Sequence, residues 1–127
     1  MKQVLLIQEL SGAAVSAATE ILGRVEGGTV AIIATEPVSI QKHLERKGWE
    51  CDPGDFSTWK NGGAVLRLLP PDRSRGLEFD GVVVVEPASF PLNLGRQGVL
   101  YTALTRANRF LSVVHHRQLP RELKLPT

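Results

Sequence analysis

The sequence predicts an α/β fold, a three-layer domain whose mostly parallel sheet is covered by helices on both faces. Strand-like and helix-like segments alternate along the chain, and this alternation requires crossover connections between parallel strands. Two continuous apolar runs, TVAIIA at 29–34 and GVVVVE at 81–86, are typical of strands that are buried on both faces. The 127 residues can bury one core and are too few for two. We therefore expect a single domain over residues 1–127.

The first half of the chain predicts two strand–helix units. Residues 3–8 are aliphatic and predict a strand, and Ser11 then stands as the predicted N-cap of an Ala-rich helix over 12–25. Gly27 and Gly28 end that helix. The strand at 29–34 is followed by a predicted helix over 38–47, which Gly48 ends.

The second half predicts three further strands. Residues 49–63 are rich in Gly, Pro, Asp and Asn, and we predict them mainly as loop. A strand at 64–69 ends at Pro70 and Pro71, and the strand at 81–86 is followed by an irregular segment at 87–94. A helix over 96–108 and a strand over 110–115 follow, and the tail beyond residue 118 is expected to be extended. The predicted core consists of Val4, Leu6, Val30, Ile32, Val65, Leu68, Val82, Val84, Leu104, Leu111 and Val113.

The parallel sheet also predicts where a ligand would bind. In open α/β sheets, ligands lie in the crevice outside the carboxyl ends of the strands. The loops that follow Ala34, Leu69 and Glu86 are therefore candidate ligand-binding loops.

Composition excludes several classes of protein. The formal net charge of +2 lacks the basic excess of a stand-alone nucleic-acid binder, so nucleic-acid contact would require a local cluster of basic residues. The single cysteine, Cys51, cannot form an internal disulfide and has no partner at the spacing of zinc ligands. No apolar run has the length of a signal-peptide core or a membrane span, so we expect a cytoplasmic protein without membrane contact.

Two sequence blocks carry more information than the fold pattern. The first, RGLEFD at 75–80, runs directly into the strand GVVVVE, and the second, LYTALTRA at 100–107, is followed by NRFL and a further strand. In this order they resemble motifs V and VI of UvrD/Rep-like superfamily 1 helicases, and the resemblance covers about the last sixty residues. It implies the second, C-terminal RecA-like motor domain, of the P-loop NTPase type, as a fragment of a longer protein.

The resemblance assigns roles to individual residues. ATP with Mg²⁺ binds between two RecA-like domains in such motors, and the second domain supplies an arginine that maps onto Arg106. Glu78 resembles the glutamate that accepts a hydrogen bond from the nucleotide ribose. Gly76 would allow close backbone approach there, and Arg75 and Thr105 would lie beside the nucleotide. The alternatives are a surface ion pair for Arg106 and a solvent-facing turn residue for Glu78.

The sequence also departs from the helicase pattern. Arg75 stands where motif V usually has a lysine, so a planar guanidinium with several donors replaces a compact ammonium group. Upstream, Pro70, Pro71 and Asp72 stand where many helicases carry a Thr and a His that grip DNA. The P-loop GxxxxGK[ST] is absent from the chain, so the chain alone should not hydrolyse ATP. The Mg²⁺-bound nucleotide would be held mainly by a first RecA-like domain.

Within the superfamily, the resemblance is to the HelD-like branch. The Val-Glu-Pro after motif V and the run HRQLPREL at 116–123 carry it. Members of this branch bind RNA polymerase and use ATP to release it from stalled complexes. The implied partners are therefore the N-terminal RecA-like domain and either DNA or RNA polymerase.

Other residue groups allow rival interpretations. Arg73, Arg96 and Arg109 are candidate nucleic-acid contacts, although a solvated basic surface explains them equally. The tryptophans Trp49 and Trp59 with Phe56 could stack on bases, or could close the core beneath a loop. The adjacent histidines His115 and His116 do not have the spacing of a metal site, and no metal ligand set is expected.

A second hypothesis comes from another functional class. The chain could be a stand-alone, non-catalytic RecA-like module that binds a protein or nucleic acid. The missing P-loop and the substitutions at 70–75 favour this module, whereas the intact GLE and TRA strings favour the motor domain.

Overall fold

The architecture was obtained as a computed structural model that describes residues 2–74, 77–90, 103–104 and 106–117. The helices and strands, in chain order, are β1 (Lys2–Gln3), α1 (Leu10–Arg24), β2 (Val30–Ile33), α2 (Val38–Arg46), β3 (Glu50–Asp52), β4 (Asp55–Asn61), β5 (Ala64–Leu69), β6 (Phe79–Val85) and β7 (Ala107–His115). Short 3₁₀ helices span Ile7–Glu9, Pro71–Ser74 and Pro87–Ser89.

The described residues form one seven-stranded sheet in the order β1-β7-β6-β2-β5-β4-β3. The pairs β1–β7, β7–β6, β6–β2 and β2–β5 are parallel, whereas β5–β4 and β4–β3 are antiparallel. The mostly parallel α/β fold of RecA-like type is thereby confirmed. Because β6 lies between β2 and β7, the two runs that were predicted as doubly buried strands are direct neighbours.

Two hydrophobic clusters cover the two faces of the sheet. On one face, α1 and α2 pack against alternate residues of the strands, with Ile21, Ile40 and Leu44 among the buried helix residues. On the other face, Val82 and Val84 pack with Phe90 and Ala103. Of the eleven predicted core residues, Val4, Val30, Ile32, Leu68, Val82, Val84 and Val113 are buried. Leu104 is half-buried against the second cluster.

Three predicted core residues are exposed, and the predicted first strand is too long. β1 ends at Gln3, and the chain then turns into a 3₁₀ helix, so Leu6 is 51% exposed. Val65 is 42% exposed because it alternates with the buried Leu66 and Leu68 and points to the other face. Leu111 is 47% exposed since β1 pairs only with Val114 and His115, so that among the described residues β7 is an edge strand at Leu111.

Several element boundaries differ from the prediction. The helix α1 begins at Leu10, so Ser11 is inside it and is not its N-cap. β2 lacks Thr29 and Ala34, α2 ends at Arg46, and β6 is shifted to Phe79–Val85. The predicted helix over 96–108 does not reach 108 because β7 already begins at Ala107; its residues 96–102 and 105, and the tail from 118, lie outside the described residues.

The segment at 49–63 was wrongly predicted as mainly loop. It forms the antiparallel pair β3–β4, joined by a tight turn in which the Asp52 carboxylate accepts a hydrogen bond from Gly54 N–H at 2.8 Å. Trp49 and Trp59 are buried in the first cluster, as the core-closing interpretation requires, whereas Phe56 is 77% exposed. Hydrogen bonds from Ser57 and Thr58 lower the pKa of Asp55 to about 2.

None of the helices in the described part of the chain combines the length and the apolar character that a membrane crossing requires.

The close packing of α1 on β6 makes a prediction about Gly81. A Cβ at this position would overlap Cγ2 of Ile21, so Gly81→Ala should lower the free energy of unfolding by roughly 1–3 kcal/mol. Gly63→Ala is the matched control, because a Cβ there would meet nothing within 4 Å. Urea unfolding measures both variants. Equal midpoints for the two variants would contradict this packing.

Candidate functional site

The amino-terminal ends of β6 and β7 bring the two sequence blocks together. Phe79 N–H, at the start of β6, donates a hydrogen bond to the Arg106 carbonyl at 2.8 Å, and Phe79 pairs with Ala107. Glu78 and Arg106 are the residues directly before this pair. Glu78 is exposed and Arg106 is half-buried. The structure thus places both predicted nucleotide-contacting side chains at one edge of the sheet.

The backbone around Arg106 is held by a turn. Arg106 N–H donates to the Ala103 carbonyl at 3.3 Å, and Ala103 is fully buried in the second cluster. The short side chain of Ala103 lets this turn lie against the sheet beside Phe79. The buried Ala103 and the two backbone hydrogen bonds of Arg106 therefore hold its backbone beside the start of β6.

The remaining predicted site residues are only partly described. Arg75, Gly76, Arg96 and Thr105 lie outside the described residues. Arg73 is exposed in the 3₁₀ helix after β5, and Arg109 is exposed on β7. Because β6 and β2 separate β5 from β7 in the sheet, the structure does not gather Arg73 and Arg109 into one patch.

Arg109 has a neighbour that sequence reasoning missed. Its guanidinium lies 5.3 Å from the centroid of the Phe110 ring, and that of Arg24 lies 6.0 Å from the same ring. Arg24 also pairs with Glu20 at 2.9 Å, one helical turn earlier. The two sequence segments are 85 positions apart, counting from 24 to 109, so no local signal connects them.

A second candidate ligand site lies at the opposite edge of the sheet, at the carboxyl ends of the strands. A cavity of about 380 Å³ lies beside the ends of β2 and β6, and its polar lining includes Thr35, Ser39 and Ser89. Thr35 and Ser89 share a hydrogen bond of 2.7 Å between their hydroxyl oxygens. Of the predicted loops, those after Ala34 and Glu86 line this cavity, whereas none of the described residues of the loop after Leu69 does.

Glu86 is the charged group that organises this carboxyl-end edge. It is 93% buried, since 7% of it is exposed, and its backbone takes the left-handed conformation with φ of 50°. Its carboxylate accepts hydrogen bonds from His116 N–H at 3.1 Å and from Arg117 N–H at 3.2 Å. The carboxylate therefore fixes the chain where it leaves β7. An acidic residue at the end of a fully apolar strand was the available sequence signal.

The described residues offer no cluster of three or more His, Cys, Asp or Glu side chains that could hold a metal ion. The two adjacent histidines have structural neighbours. The Nδ1 atom of His115 lies 2.9 Å from the Arg117 carbonyl, and that of His116 lies 3.2 Å from the Val4 carbonyl. The half-buried His43 has a pKa below its usual range because burial and the nearby Lys47 and Arg46 disfavour its charged form.

Comparison with known proteins supports the fold and does not identify a family. No protein-family model and no curated protein matches this chain. Among solved structures, the chain is similar to the C-terminal domain of a possible DNA helicase from Lactobacillus plantarum WCFS1. The identity is 20% and the TM-score 0.64, over 95% of this chain and 73% of that one.

A second similarity is to a viral protein. The large terminase of a thermophilic bacteriophage, in complex with ADP, is 10% identical, with a TM-score of 0.59 over 89% of this chain. A second crystal form of the same terminase is 8% identical, with the same TM-score over 85% of this chain. This chain spans about a third of the terminase, 32% and 30% in the two structures. At these identities the similarity establishes a shared fold.

The geometry of Glu86 leads to a prediction. Glu86→Ala removes a charged acceptor from the N–H groups of the half-buried His116 and the exposed Arg117, which should cost roughly 1–3 kcal/mol of folding free energy. Amide hydrogen exchange should accelerate at His116 and Arg117 more than at Val83 in the same strand pairing. Glu36→Ala, which removes an exposed carboxylate from the same cavity, is the control. Unchanged protection at both amides would contradict the assigned role.

Proposed function

We propose that this chain is the second motor domain of an ATP-dependent helicase or translocase of the UvrD/Rep-like kind. It contributes Arg106 and Glu78 to a nucleotide that is held mainly by a separate P-loop domain. The observation that carries the proposal is the hydrogen bond from Phe79 N–H to the Arg106 carbonyl, which joins the starts of β6 and β7. This bond sets an exposed carboxylate and a guanidinium at one edge, although they come from distant parts of the sequence.

The two side chains suit complementary tasks. A guanidinium is always charged and planar, and it can stabilise the negative charge that develops on the transferring γ-phosphoryl group. A carboxylate can accept hydrogen bonds from ribose hydroxyls and cannot serve as a phosphate ligand. Arg106 would act in the transition state, and Glu78 would orient the nucleotide. Since both belong to this chain, hydrolysis would depend on closure of the cleft between the two domains.

The nucleotide's phosphates and magnesium ion must be bound elsewhere. The sequence contains no P-loop, and the described residues contain no group of carboxylates that could hold a divalent ion. The residues at the amino-terminal edge therefore fit one side of a nucleotide and not its phosphate cradle. ATP with Mg²⁺ would be the ligand of the assembled pair of domains.

The structural neighbours support this assignment at the level of the fold. One belongs to a possible DNA helicase, and another was solved with ADP. We extend this to DNA as a substrate, or to RNA polymerase if the chain is HelD-like, and to a cytoplasmic location. Residues 1–127 would then be one domain of a longer motor protein.

A non-catalytic binding module is the alternative that one observation favours. The segment where many helicases grip DNA is folded onto the protein instead: Pro71 is buried, and the fully buried Ser74 donates its hydroxyl to the Pro71 carbonyl at 2.8 Å. A surface that has lost its DNA-gripping side chains suits a protein partner. The intact GLE and TRA strings, which carry Glu78 and Arg106, weigh against this alternative.

The role of Arg106 predicts the outcome of one substitution. In the longest natural polypeptide that contains this chain, or in a mixture with its P-loop domain, Arg106→Ala should reduce the rate of ATP hydrolysis by about 10³-fold or more. Arg106→Lys should restore only part of it, because an ammonium lacks the planar fork. The control is Arg46→Ala, which removes an exposed arginine from the end of α2. An unchanged turnover number for Arg106→Ala would refute the motor-domain role and leave the binding module.

A further inference from the structure

Thr29 and Asp80 hold each other at the edge where Glu78 and Arg106 lie. The Asp80 Oδ2 atom accepts hydrogen bonds from Thr29 N–H at 2.9 Å and from the Thr29 hydroxyl at 3.4 Å. In return, Asp80 N–H donates to Thr29 Oγ1 at 3.2 Å. The next residue adds a fourth bond, from Gly81 N–H to the Thr29 carbonyl at 3.0 Å. We refer to this reciprocal arrangement of Thr29 and Asp80 as the clamp.

The surroundings of the clamp are shaped to accept the carboxylate. A Cβ at Gly28 would lie 2.6 Å from Asp80 Oδ2 and 2.9 Å from Cβ of Val25, so only glycine leaves room there. On its other side, β6 meets an irregularity in β7, because Phe79 pairs with Ala107 and Gly81 with Phe110. One residue, Asp80, thus faces two, and a bulge of this kind interrupts regular pairing. The clamp therefore provides hydrogen bonds between the start of β6 and Thr29 at the position where the pairing of β6 with β7 is interrupted.

The clamp is one residue away from the proposed nucleotide contacts. Asp80 is tied to Thr29, and the preceding residue, Phe79, is tied to the Arg106 carbonyl. Glu78 directly precedes Phe79. The order of linked residues therefore runs from the start of β2, through Asp80 and Phe79, to Arg106.

From this order we infer that Thr29 and Asp80 are positioning residues for Glu78 and Arg106. This inference rests on the proposed function. Asp80, the second acid of the block RGLEFD, binds Thr29 and not the nucleotide, and it fixes the register of the β6 start against β2. Release of the clamp lets the start of β6 loosen from the sheet, so that Phe79 and Arg106 are no longer held in one position. A shift of about 1 Å at a reacting group can cost roughly 100-fold in rate.

The first experiment measures the clamp in the 127-residue chain itself. In Thr29→Val, which keeps the side-chain shape and removes the hydroxyl, the amide protons of Phe79 and Asp80 should exchange about 10-fold faster or more. Exchange at Val83, deep in the same strand, should change only with global stability. Thr29→Ser should restore protection, as should Asp80→Asn relative to Asp80→Ala. Asp55→Ala, which removes the three hydrogen bonds that Ser57 and Thr58 make with another aspartate, is the matched control.

The outcomes of this experiment separate local positioning from general stability. Selective loss of protection at Phe79 and Asp80 upholds the clamp. Protection that is unchanged, or that falls equally at Val83, overturns it. If Asp80→Ala does not fold, Thr29→Val and Thr29→Ser give the same comparison, because Thr29 is exposed.

The second experiment connects the clamp to hydrolysis by a double-mutant cycle. In the assembled motor, Thr29→Val should lower kcat by roughly 10- to 100-fold, and should lower it no further when Arg106 is already alanine. A purely structural role would give additive losses in the two backgrounds, and would overturn the inference. If Arg106→Ala alone leaves kcat unchanged, the proposed function fails, whereas the exchange experiment still decides whether the clamp exists.

Discussion

The parallel pairing of β6 with β2 on one side and β7 on the other is the constraint on which the rest of the structure depends. Val82, Val83 and Val84 of β6 are fully buried, and alternate residues of the strand enter the two clusters on opposite faces of the sheet. A slip of one residue would exchange the two faces and would put a residue with a side chain in place of Gly81, where Ile21 leaves no room for a Cβ. The register decides which residues meet at both ends of β6. It places Phe79 against Arg106 at one end and Glu86 against residues 116 and 117 at the other.

The carboxylates at the two ends of β6 have different partners. At the carboxyl end, Glu86 is buried and its carboxylate oxygens accept hydrogen bonds from backbone N–H groups, which fixes the chain after β7. At the amino-terminal end, Asp80 is bound by Thr29, while Glu78 is exposed. The general rule for parallel sheets and the helicase resemblance thus indicate opposite edges for a ligand. The exposed acid and the half-buried arginine favour the amino-terminal edge for contact with a nucleotide.

Local sequence patterns predicted those helices and strands in which burial requires apolar residues at regular positions. The strand Ala64–Leu69 and the start of α2 at Val38 match the prediction, because apolar periodicity and proline mark them. The β3–β4 hairpin was missed because its Asp, Pro and Gly residues are also loop formers, and only the buried Trp59 distinguishes it. Glu78 and Arg106 came from the resemblance. Their support by Thr29 was not predictable, because Thr29 directly precedes β2, Asp80 lies in β6, and the register of these two strands is a tertiary property.

The proposed role of Arg106 is tested most directly by a structure of this chain assembled with the proposed P-loop domain and ADP–fluoroaluminate. This analogue occupies the position of the transferring γ-phosphoryl group. We expect the Arg106 guanidinium to lie within about 3 Å of the fluoroaluminate, with Glu78 on the ribose side. A nucleotide bound instead in the cavity at the carboxyl ends of β2 and β6, against Thr35 and Ser39, would contradict it.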